Sequence, residues 1–322
     1  MTIAAPLVSV VIPTYDRPQL LLRAVQCALA QTLRDIEVIV VFDGSPSSVR
    51  GALDSLSDSR LRVLCLEQNQ GAPAARTAGV EAARADWIAS FDDDDEWDPL
   101  KLELQWQHAR RSAAPLPIVP CRFVACTDAG DYVWPRRWPR RGEPVSEYLF
   151  CSSSLAFGEG VVPSSVLFAP RELYRLELPR CTPAYHDDLD WLLRAASHPG
   201  VAIDPLPDPC PLAIWHREGR ARSRRRFDWR PSLEWVAAHP QLITPRARSA
   251  FLLRWTGNVL SARRQWDGFW PVLNAALRVG QPSALDVLLY LANWLLPLSF
   301  RRALASWVGR ARRPSAFREQ HS

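Results

Sequence analysis

Residues 87–99 read Trp-Ile-Ala-Ser-Phe-Asp-Asp-Asp-Asp-Glu-Trp-Asp-Pro, an apolar segment followed at once by four consecutive aspartates. Carboxylates this close together repel one another unless they point into solvent or surround a cation. Hard divalent ions such as Mg²⁺ and Mn²⁺ take oxygen ligands of this kind. Because ligands of open α/β sheets bind at the carboxyl ends of the strands, the run predicts a cation site where a buried strand ends.

Strand and helix patterns alternate over the first third of the chain. Residues 8–12 and 37–42 are apolar runs typical of buried parallel strands, and residues 18–31 carry apolar residues at helical spacing. The other predicted elements of this part are helices near 47–57 and 72–84 and strands at 61–66 and 87–91. Such alternation predicts an α/β fold with an open, mostly parallel sheet flanked by helices.

The alternation stops after the first third. Between residues 112 and 183 we predict strands at 118–125 and 161–168, with long loops between these two strands, and these loops are candidate binding segments. A helix is predicted at 184–198, and residues 226–313 are predicted to be mainly helical. We therefore expect a catalytic domain followed by a helical extension: 1–225 (halves 1–110 and 111–225) and 226–322.

Composition and charge narrow the functional classes. The 322 residues are 48% apolar and 23% charged, as in a globular protein of one large domain or two. The seven cysteines have no C-x-x-C spacing and are interpreted as reduced packing residues. The first residues have no basic segment typical of a signal peptide, so we expect a cytoplasmic protein.

The charge is unevenly distributed along the chain. Residues 1–110 hold 16 acids and 10 bases, whereas residues 111–322 hold 18 acids and 29 bases. The acidic part suits a cation site. The basic part suits an attraction to phosphates or anionic lipid.

Polar residues follow several of the predicted strands. The first strand ends in Pro13-Thr14-Tyr15-Asp16-Arg17 and the second in Phe42-Asp43-Gly44-Ser45, while Arg76 follows the third. Together with the aspartate run, these segments resemble glycosyltransferase family 2, the inverting enzymes of the GT-A fold. The resemblance covers residues 6–110 and returns at 186–194.

The resemblance implies a binding site for a nucleotide-diphosphate-sugar donor. In that family the segment matching Pro13, Thr14, Tyr15 and Asp16 helps to hold the nucleotide. Asp43 is then expected to accept a hydrogen bond from the base edge while Tyr15 packs on the face of the base, and Arg76 joins the donor site. The family's common Asp-Asp-Gly-Ser has Phe42 in place of its first acid, a departure that bears on which nucleotide is preferred.

The aspartate run aligns with the D-x-D element of the family. The resemblance implies that Asp94 coordinates Mn²⁺ or Mg²⁺, that Asp92 contacts the metal or the ribose, and that Asp93 lies on the donor side. His216 and Arg220 are weaker candidates for metal or phosphate contacts. For Asp95, Glu96 and Asp98 the alternative is a role in capping the following helix.

A second acidic cluster, His186-Asp187-Asp188-Leu189-Asp190, matches the pair of acids that opens a helix in the family. There the second acid is the catalytic base, which implies this role for Asp188, with Asp187 as its rival. Helix capping alone also explains two acids at a helix start. We interpret Asp190 as a charge on the helix surface.

Two aromatic residues are candidates for stacking on an acceptor sugar. Trp134 and Trp138 lie in the part of the chain that is expected to receive the acceptor. The alternative is that these tryptophans fill the core, as most do.

The C-terminal residues 284–300 are largely apolar but too short and too polar for a membrane span, since they contain Asp286, Asn293 and Pro297. Arginines at 301–302 and 310–313 flank further apolar residues. This pattern is typical of a helix that lies on an anionic membrane, so residues 284–313 are a candidate peripheral contact with the inner membrane. The alternative is a core helix packed on the catalytic domain.

The resemblance thus implies a metal-dependent inverting glycosyltransferase that moves a sugar from a nucleotide-diphosphate-sugar to a hydroxyl of a glycan or lipid-linked oligosaccharide, in polysaccharide biosynthesis. No nucleic acid partner is expected. Two alternatives stay open: a nucleotidyltransferase, and a non-catalytic relative that binds nucleotide-sugars or glycans. The first would need a glycine-rich phosphate loop with a lysine, which residues 13–17 do not provide.

Overall fold

A computed structural model describes residues 5–44, 50–53, 56–128, 130–152, 158–181, 186–207, 209–217 and 227–296. Its central sheet contains β1 (Val8–Thr14), β2 (Ile36–Phe42), β3 (Leu61–Cys65), β4 (Trp87–Ser90) and β9 (Phe168–Pro170). The strands lie in the order β3, β2, β1, β4, β9. The first four are parallel and β9 is antiparallel to β4. The predicted open, mostly parallel sheet is confirmed.

Helices connect the parallel strands: α1 (Pro18–Leu29), α2 (Arg50–Leu53) and α3 (Ala72–Ala82). Every residue of β1 and β2 is buried, as expected for strands covered on both faces. Helix α3 packs closely on β1, because a Cβ atom at Gly79 would lie 2.3 Å from Cγ1 of Val11. Glycine is therefore required at this crossing.

A second sheet extends the fold beyond the aspartate run. It contains β5 (Glu96–Trp97), β7 (Phe123–Thr127), β8 (Gly130–Trp134) and β11 (Ala213–His216), in the order β5, β11, β7, β8. A separate parallel pair joins β6 (Leu116–Ile118) to β10 (Val201–Ile203). The helices of this part are α4 (Lys101–Ala109), α5 (Val145–Phe150), α6 (Arg171–Leu176) and α7 (Asp187–Ala195).

Two predictions for residues 112–183 are wrong. The stretch expected to form long loops contains strand β8 and helix α5. Gly130, the first residue of β8, has φ 125°, a backbone conformation that favours glycine. The expected strand at 161–168 is instead a 3₁₀ turn at Ser164–Val166 followed by β9. Periodicity missed the turn because its residues are buried although they do not pair as a strand.

The C-terminal region is helical as far as it is described, as predicted. Its helices are α8 (Arg230–Ala238), α9 (Pro245–Ala250), α10 (Gly257–Ala262), α11 (Phe269–Val279) and α12 (Ala284–Leu295), with a π-helical segment at Phe251–Thr256 and a 3₁₀ turn at Trp266–Gly268. The buried Asp286 of α12 pairs with Arg254 at 3.0 Å. No helix of the described residues is long and apolar enough to cross a membrane.

All seven cysteines are free, as predicted. Cys121 and Cys126 are buried, whereas Cys65, Cys181 and Cys210 are exposed, so the interpretation as packing residues fails for these three.

The buried lysine Lys101 generates a pH-dependent prediction. Its ammonium group donates to Oε1 of Gln105 at 2.8 Å and lies 3.7 Å from the centroid of a Trp97 ring. Burial lowers the pKa of Lys101 from 10.5 to about 8, against the opposing effect of the Cys121 thiol. Between these two pH values the unfolded chain binds more protons than the folded one, so the lysine makes the protein more stable as the pH rises.

We expect the free energy of unfolding of the wild type to rise by about 2 kcal/mol relative to that of Lys101→Met between pH 8 and pH 9.5. Urea unfolding of both proteins across this range measures the difference, in which other titrating groups cancel. A difference that stays constant with pH would contradict the lowered pKa.

Candidate active site

Three strand ends bring the predicted donor residues together. Thr14 ends β1, Asp43 follows β2, and Asp92 lies two residues beyond β4. Strand β1 pairs in parallel with both of the others, so their carboxyl ends meet at one edge of the sheet. This is the edge at which open α/β sheets bind ligands.

Asp43 is held rigidly at this edge. Its side-chain oxygens accept hydrogen bonds from the backbone N–H groups of Gln70 at 2.6 Å and Gly71 at 2.8 Å. Gly71 has φ 92°, which favours glycine in the loop that presents these donors. Tyr15 lies beside the site and is 59% exposed, so a face of its ring is accessible.

Asp92 and Asp93 have separate partners. Asp92 accepts from the guanidinium of Arg76 at 2.7 Å and from the hydroxyl of Ser164 at 2.6 Å. Asp93 accepts from the hydroxyl of Thr14 at 2.7 Å and from Arg17 at 3.1 Å. Burial raises the pKa of Asp93 to about 6, although Thr14 and Arg17 oppose the shift.

Asp94 is the main candidate metal ligand, and its side chain is 13% exposed. Its carboxylate accepts from Nη1 of Arg17 at 3.1 Å, and its main-chain oxygen accepts from Arg23 at 2.9 Å. The described residues contain no group of three or more His, Cys, Asp or Glu side chains arranged around an ion. One or two carboxylates suffice for Mg²⁺ that is also bound by substrate phosphates, so the donor set fits an ion that arrives with a diphosphate.

The next two acids join elements of the fold. Asp95 is fully buried and accepts from the hydroxyl of Ser165 and the backbone N–H of His216. Burial raises the pKa of Asp95 well above its usual value. Glu96 pairs with Arg23 of α1 at 3.0 Å. The capping alternative therefore fails for Asp95 and Glu96. Asp98 accepts from the N–H of Leu100 just before α4, and no side chain caps the first residue of this helix.

His216 lies next to the acidic run at the end of β11. Its Nε2 atom is 2.7 Å from Oε1 of Glu96, and its backbone N–H donates to Asp95. The ring thus contacts Glu96 and not the Asp94 carboxylate in this state of the protein. The other weak candidate, Arg220, falls outside the described residues.

Asp187 and Asp188 begin helix α7. Asp188 is partly buried, and its carboxylate accepts from the backbone N–H of Ser164 at 3.2 Å. Burial raises the pKa of Asp188 to about 6, with Arg76 opposing the shift and Asp92 adding to it. The carboxylate is therefore mainly ionised at neutral pH, as a base must be.

Arg76 and Ser164 connect the two acidic clusters. The buried Arg76 guanidinium bonds Asp92 and interacts electrostatically with Asp188. Burial would lower the pKa of Arg76, but the two carboxylates outweigh this effect and raise it. Ser164 donates its hydroxyl to Asp92 and its N–H to Asp188. Sequence reasoning missed Ser164 because it assigned that residue to a strand and found no charge or motif there.

Two further expectations for this half of the chain are wrong. Asp190 is not a surface charge: it is 3% exposed and accepts from Nε of Arg194 at 2.8 Å and Nε1 of Trp235 at 3.0 Å. Trp134 is 4% exposed and packs against Phe123, so it is a core residue that offers no face to a sugar. Trp138 is partly buried, and its role stays a prediction.

Comparison with known proteins supports the resemblance that the strand-end motifs indicated. Residues 9–154 match the model of glycosyl transferase family 2. This part of the chain is similar to that family.

Curated relatives of this part of the chain include bacterial polysaccharide biosynthesis proteins and glycosyltransferases. The succinoglycan biosynthesis protein ExoO of Rhizobium meliloti is 34% identical over 35% of this chain and 32% of its own length. The Escherichia coli protein WfgD, named as a UDP-Glc:α-D-GlcNAc-diphosphoundecaprenol β-1,3-glucosyltransferase, is 34% identical over 31% of this chain and 39% of its own length. The chain thus spans about a third of the length of these relatives.

Solved structures share the fold at low identity. Staphylococcus aureus TarS 1-349 in complex with UDP-GlcNAc aligns with a TM-score of 0.55 at 13% identity, covering 97% of this chain and 92% of that one. The mannosyltransferase PcManGT of Pyrobaculum calidifontis, in complex with GDP-Man and Mn²⁺, aligns with 0.52 at 19% identity, covering 94% and 86%. These matches confirm a GT-A type fold with C-terminal helices.

The buried Arg76 generates a stability prediction. Arg76→Met removes the cation that compensates Asp92 and Asp188, so we expect the free energy of unfolding to fall by about 3 to 5 kcal/mol. Chemical unfolding measures this loss. Arg230→Met, which breaks an exposed ion pair with Asp228, is the matched control and should cost no more than about 1 kcal/mol. Similar effects of the two substitutions would contradict the role of Arg76.

Proposed function

We propose that the protein is an inverting glycosyltransferase that moves a sugar from a nucleotide-diphosphate-sugar to a hydroxyl of a glycan or lipid-linked oligosaccharide, in bacterial polysaccharide biosynthesis. The observation that carries the proposal is the bridge through Ser164 and Arg76 between the donor-side Asp92 and the candidate base Asp188. Transfer in one step needs a donor group and a base at adjoining positions. The names of the relatives support the polysaccharide context.

On the donor side, Asp43 and Tyr15 would hold the nucleotide base. The fixed Asp43 side chain would accept a hydrogen bond from an N–H group on the edge of the base. The exposed ring of Tyr15 would pack on the face of that base. Thr14 already contacts Asp93, while Pro13, Asp16 and Arg76 complete the proposed donor site.

On the diphosphate side, Asp94 and Asp92 would hold Mn²⁺ or Mg²⁺ together with the phosphates. The chemistry that such an ion supplies when bound is compensation of the negative charge that grows on the leaving diphosphate. His216 could turn its ring toward the ion only by giving up its contact with Glu96.

On the acceptor side, Asp188 would remove the proton from the attacking hydroxyl. The attack comes from the face opposite the diphosphate, so one base is enough and no covalent intermediate is needed. Asp187 is the alternative base. The contact with the N–H of Ser164 favours Asp188, since it fixes this carboxylate beside Asp92.

The two alternative functions, a nucleotidyltransferase and a non-catalytic binding protein, predict different behaviour. A nucleotidyltransferase would release diphosphate from a nucleoside triphosphate, and the segment Pro13 to Arg17 contains neither glycine nor lysine for a triphosphate loop. A non-catalytic binding protein would bind donor without transfer. Both acidic clusters are present and connected here, which favours the enzyme.

A donor screen with UDP-, GDP- and dTDP-sugars, with and without Mn²⁺ or Mg²⁺, tests the central proposal by protection against thermal unfolding. Asp94→Asn should abolish the metal-dependent part of donor binding. Asp188→Asn should keep donor binding and lose transfer of labelled sugar to glycan or lipid-linked acceptors, by roughly 10²-fold or more. Asp98→Asn is the matched control. It removes a charge from the same segment, and the side-chain oxygen of asparagine can still accept from the N–H of Leu100.

Two outcomes would contradict this scheme. If no donor binds better with metal than without it, the metal-dependent transfer is wrong. If Asp94→Asn and Asp188→Asn lose donor binding equally, Asp188 is not the base.

We further propose that residues 284–313 attach the protein to the cytoplasmic face of the inner membrane, where a lipid-linked acceptor would lie. The outer face of α12 carries Leu288, Leu291 and Leu295, of which Leu295 is 78% exposed. Residues 251–322 contain ten arginines and three acids, a charge balance that suits anionic lipid. Residues 297–313 fall outside the described part of the chain.

Vesicle co-sedimentation tests this attachment. The wild type should bind vesicles rich in phosphatidylglycerol and not vesicles of phosphatidylcholine alone. The double variant Leu288→Glu/Leu295→Glu should lose most of this binding. Leu176→Glu, at another exposed leucine, is the control and should bind as the wild type does. Unchanged binding of the double variant would contradict a contact through α12.

A further inference from the structure

Arg17 places a positive charge beside Asp93 and Asp94 of the aspartate run. Nη1 of Arg17 lies 3.1 Å from Oδ1 of Asp93 and 3.1 Å from Oδ2 of Asp94. One guanidinium nitrogen thus bridges the carboxylate proposed to hold the metal and its neighbour. In the absence of donor, Arg17 supplies positive charge where the divalent ion would otherwise do so.

The side chain of Arg17 is much more exposed to solvent than that of Arg76. Its side chain is 51% exposed, whereas that of Arg76 is 7% exposed. The backbone oxygen of Arg17 accepts from the N–H of Leu21 in the first turn of α1, so the side chain can move while the helix start stays in place. The side chains of Asp93 and Asp94 are only 7% and 13% exposed, so their charges need a cation. The half-exposed guanidinium can regain water when it leaves, while the divalent ion replaces its charge at the two carboxylates.

We infer that Arg17 is a switching counter-ion, which neutralises Asp93 and Asp94 in the donor-free enzyme and moves to the donor diphosphate when the metal ion binds. The inference rests on the proposed function and adds a coupling between its two ligands. The metal ion displaces a cation from Asp94, and the diphosphate offers that cation a new anionic partner. Metal and nucleotide consequently bind cooperatively, and the free protein discriminates against the ion alone.

Arg17→Gln should therefore change the two affinities in opposite directions. Without nucleotide, Mn²⁺ should bind the variant more tightly than the wild type, by roughly 2-fold or more, because the ion no longer competes with the two ion pairs of Arg17. With saturating Mn²⁺, UDP or GDP should bind the variant more weakly, because the diphosphate has lost a cationic partner. The factor by which nucleotide tightens Mn²⁺ binding should shrink accordingly.

The experiment is a titration of wild type, Arg17→Gln and Arg23→Gln with Mn²⁺, followed by the electron paramagnetic resonance signal of the free ion, with and without UDP or GDP. Arg23→Gln is the matched control: it removes the same charge from a guanidinium that contacts Glu96 and the main-chain oxygen of Asp94. Its effect on Mn²⁺ affinity should be smaller than that of Arg17→Gln. Arg17→Lys keeps the charge but replaces the guanidinium by a single amine, and should lie between wild type and Arg17→Gln.

Equal Mn²⁺ affinity of wild type and Arg17→Gln without nucleotide would overturn the inference. An equal rise of the Mn²⁺ affinity in Arg23→Gln would overturn it too, because the effect would then reflect only the loss of one positive charge near the site. If Arg17→Gln fails to fold, the same comparison with Arg17→Lys decides. Failure of the proposed function gives another result: no nucleotide binds the wild type with metal, while the Mn²⁺ titrations without nucleotide still report on Arg17.

Discussion

Four consecutive carboxylates can share one edge of a sheet only if each has its own compensating group, and the architecture of the site follows from this constraint. Asp92 has Arg76 and Ser164, Asp93 has Thr14, and Asp95 has Ser165. These partners come from different segments of the chain, so the electrostatics of the run depend on the assembled fold. Asp93 and Asp94 share the half-exposed side chain of Arg17.

The same constraint connects the two acidic clusters. Arg76 on α3 and Ser164 in the 3₁₀ turn interact with both Asp92 and the candidate base Asp188. Helix α7, which carries this candidate base, is in turn fixed to the C-terminal helices through the buried pair Asp190 and Trp235. The extension thus has a structural role at the base helix besides its proposed contact with lipid.

Local sequence patterns predicted the nucleotide half well. The apolar runs of β1 and β2 and the helical spacing of α1 are local signals, because strands buried on both faces and helices packed on one face restrict residue choice directly. The residues around Ser164 carry no such signal. Their turn is buried by packing against distant segments, and periodicity therefore mistook it for a strand. Asp190 was misjudged for the same reason, since its partner Trp235 lies 45 residues away.

By itself the sequence determined the α/β class, the position of the acidic run at a strand end, the second acidic cluster and the resemblance to a family, because these depend on local spacing and short motifs. Only the tertiary structure decided what each acid does. It buried Asp95 and Glu96 as structural groups, placed the partly buried Asp94 beside Arg17, and placed Asp188 within reach of Ser164 and Arg76. The physical reason is that the charge state and role of a carboxylate depend on its burial and its partners in space, and neighbouring aspartates in a sequence can differ completely in both.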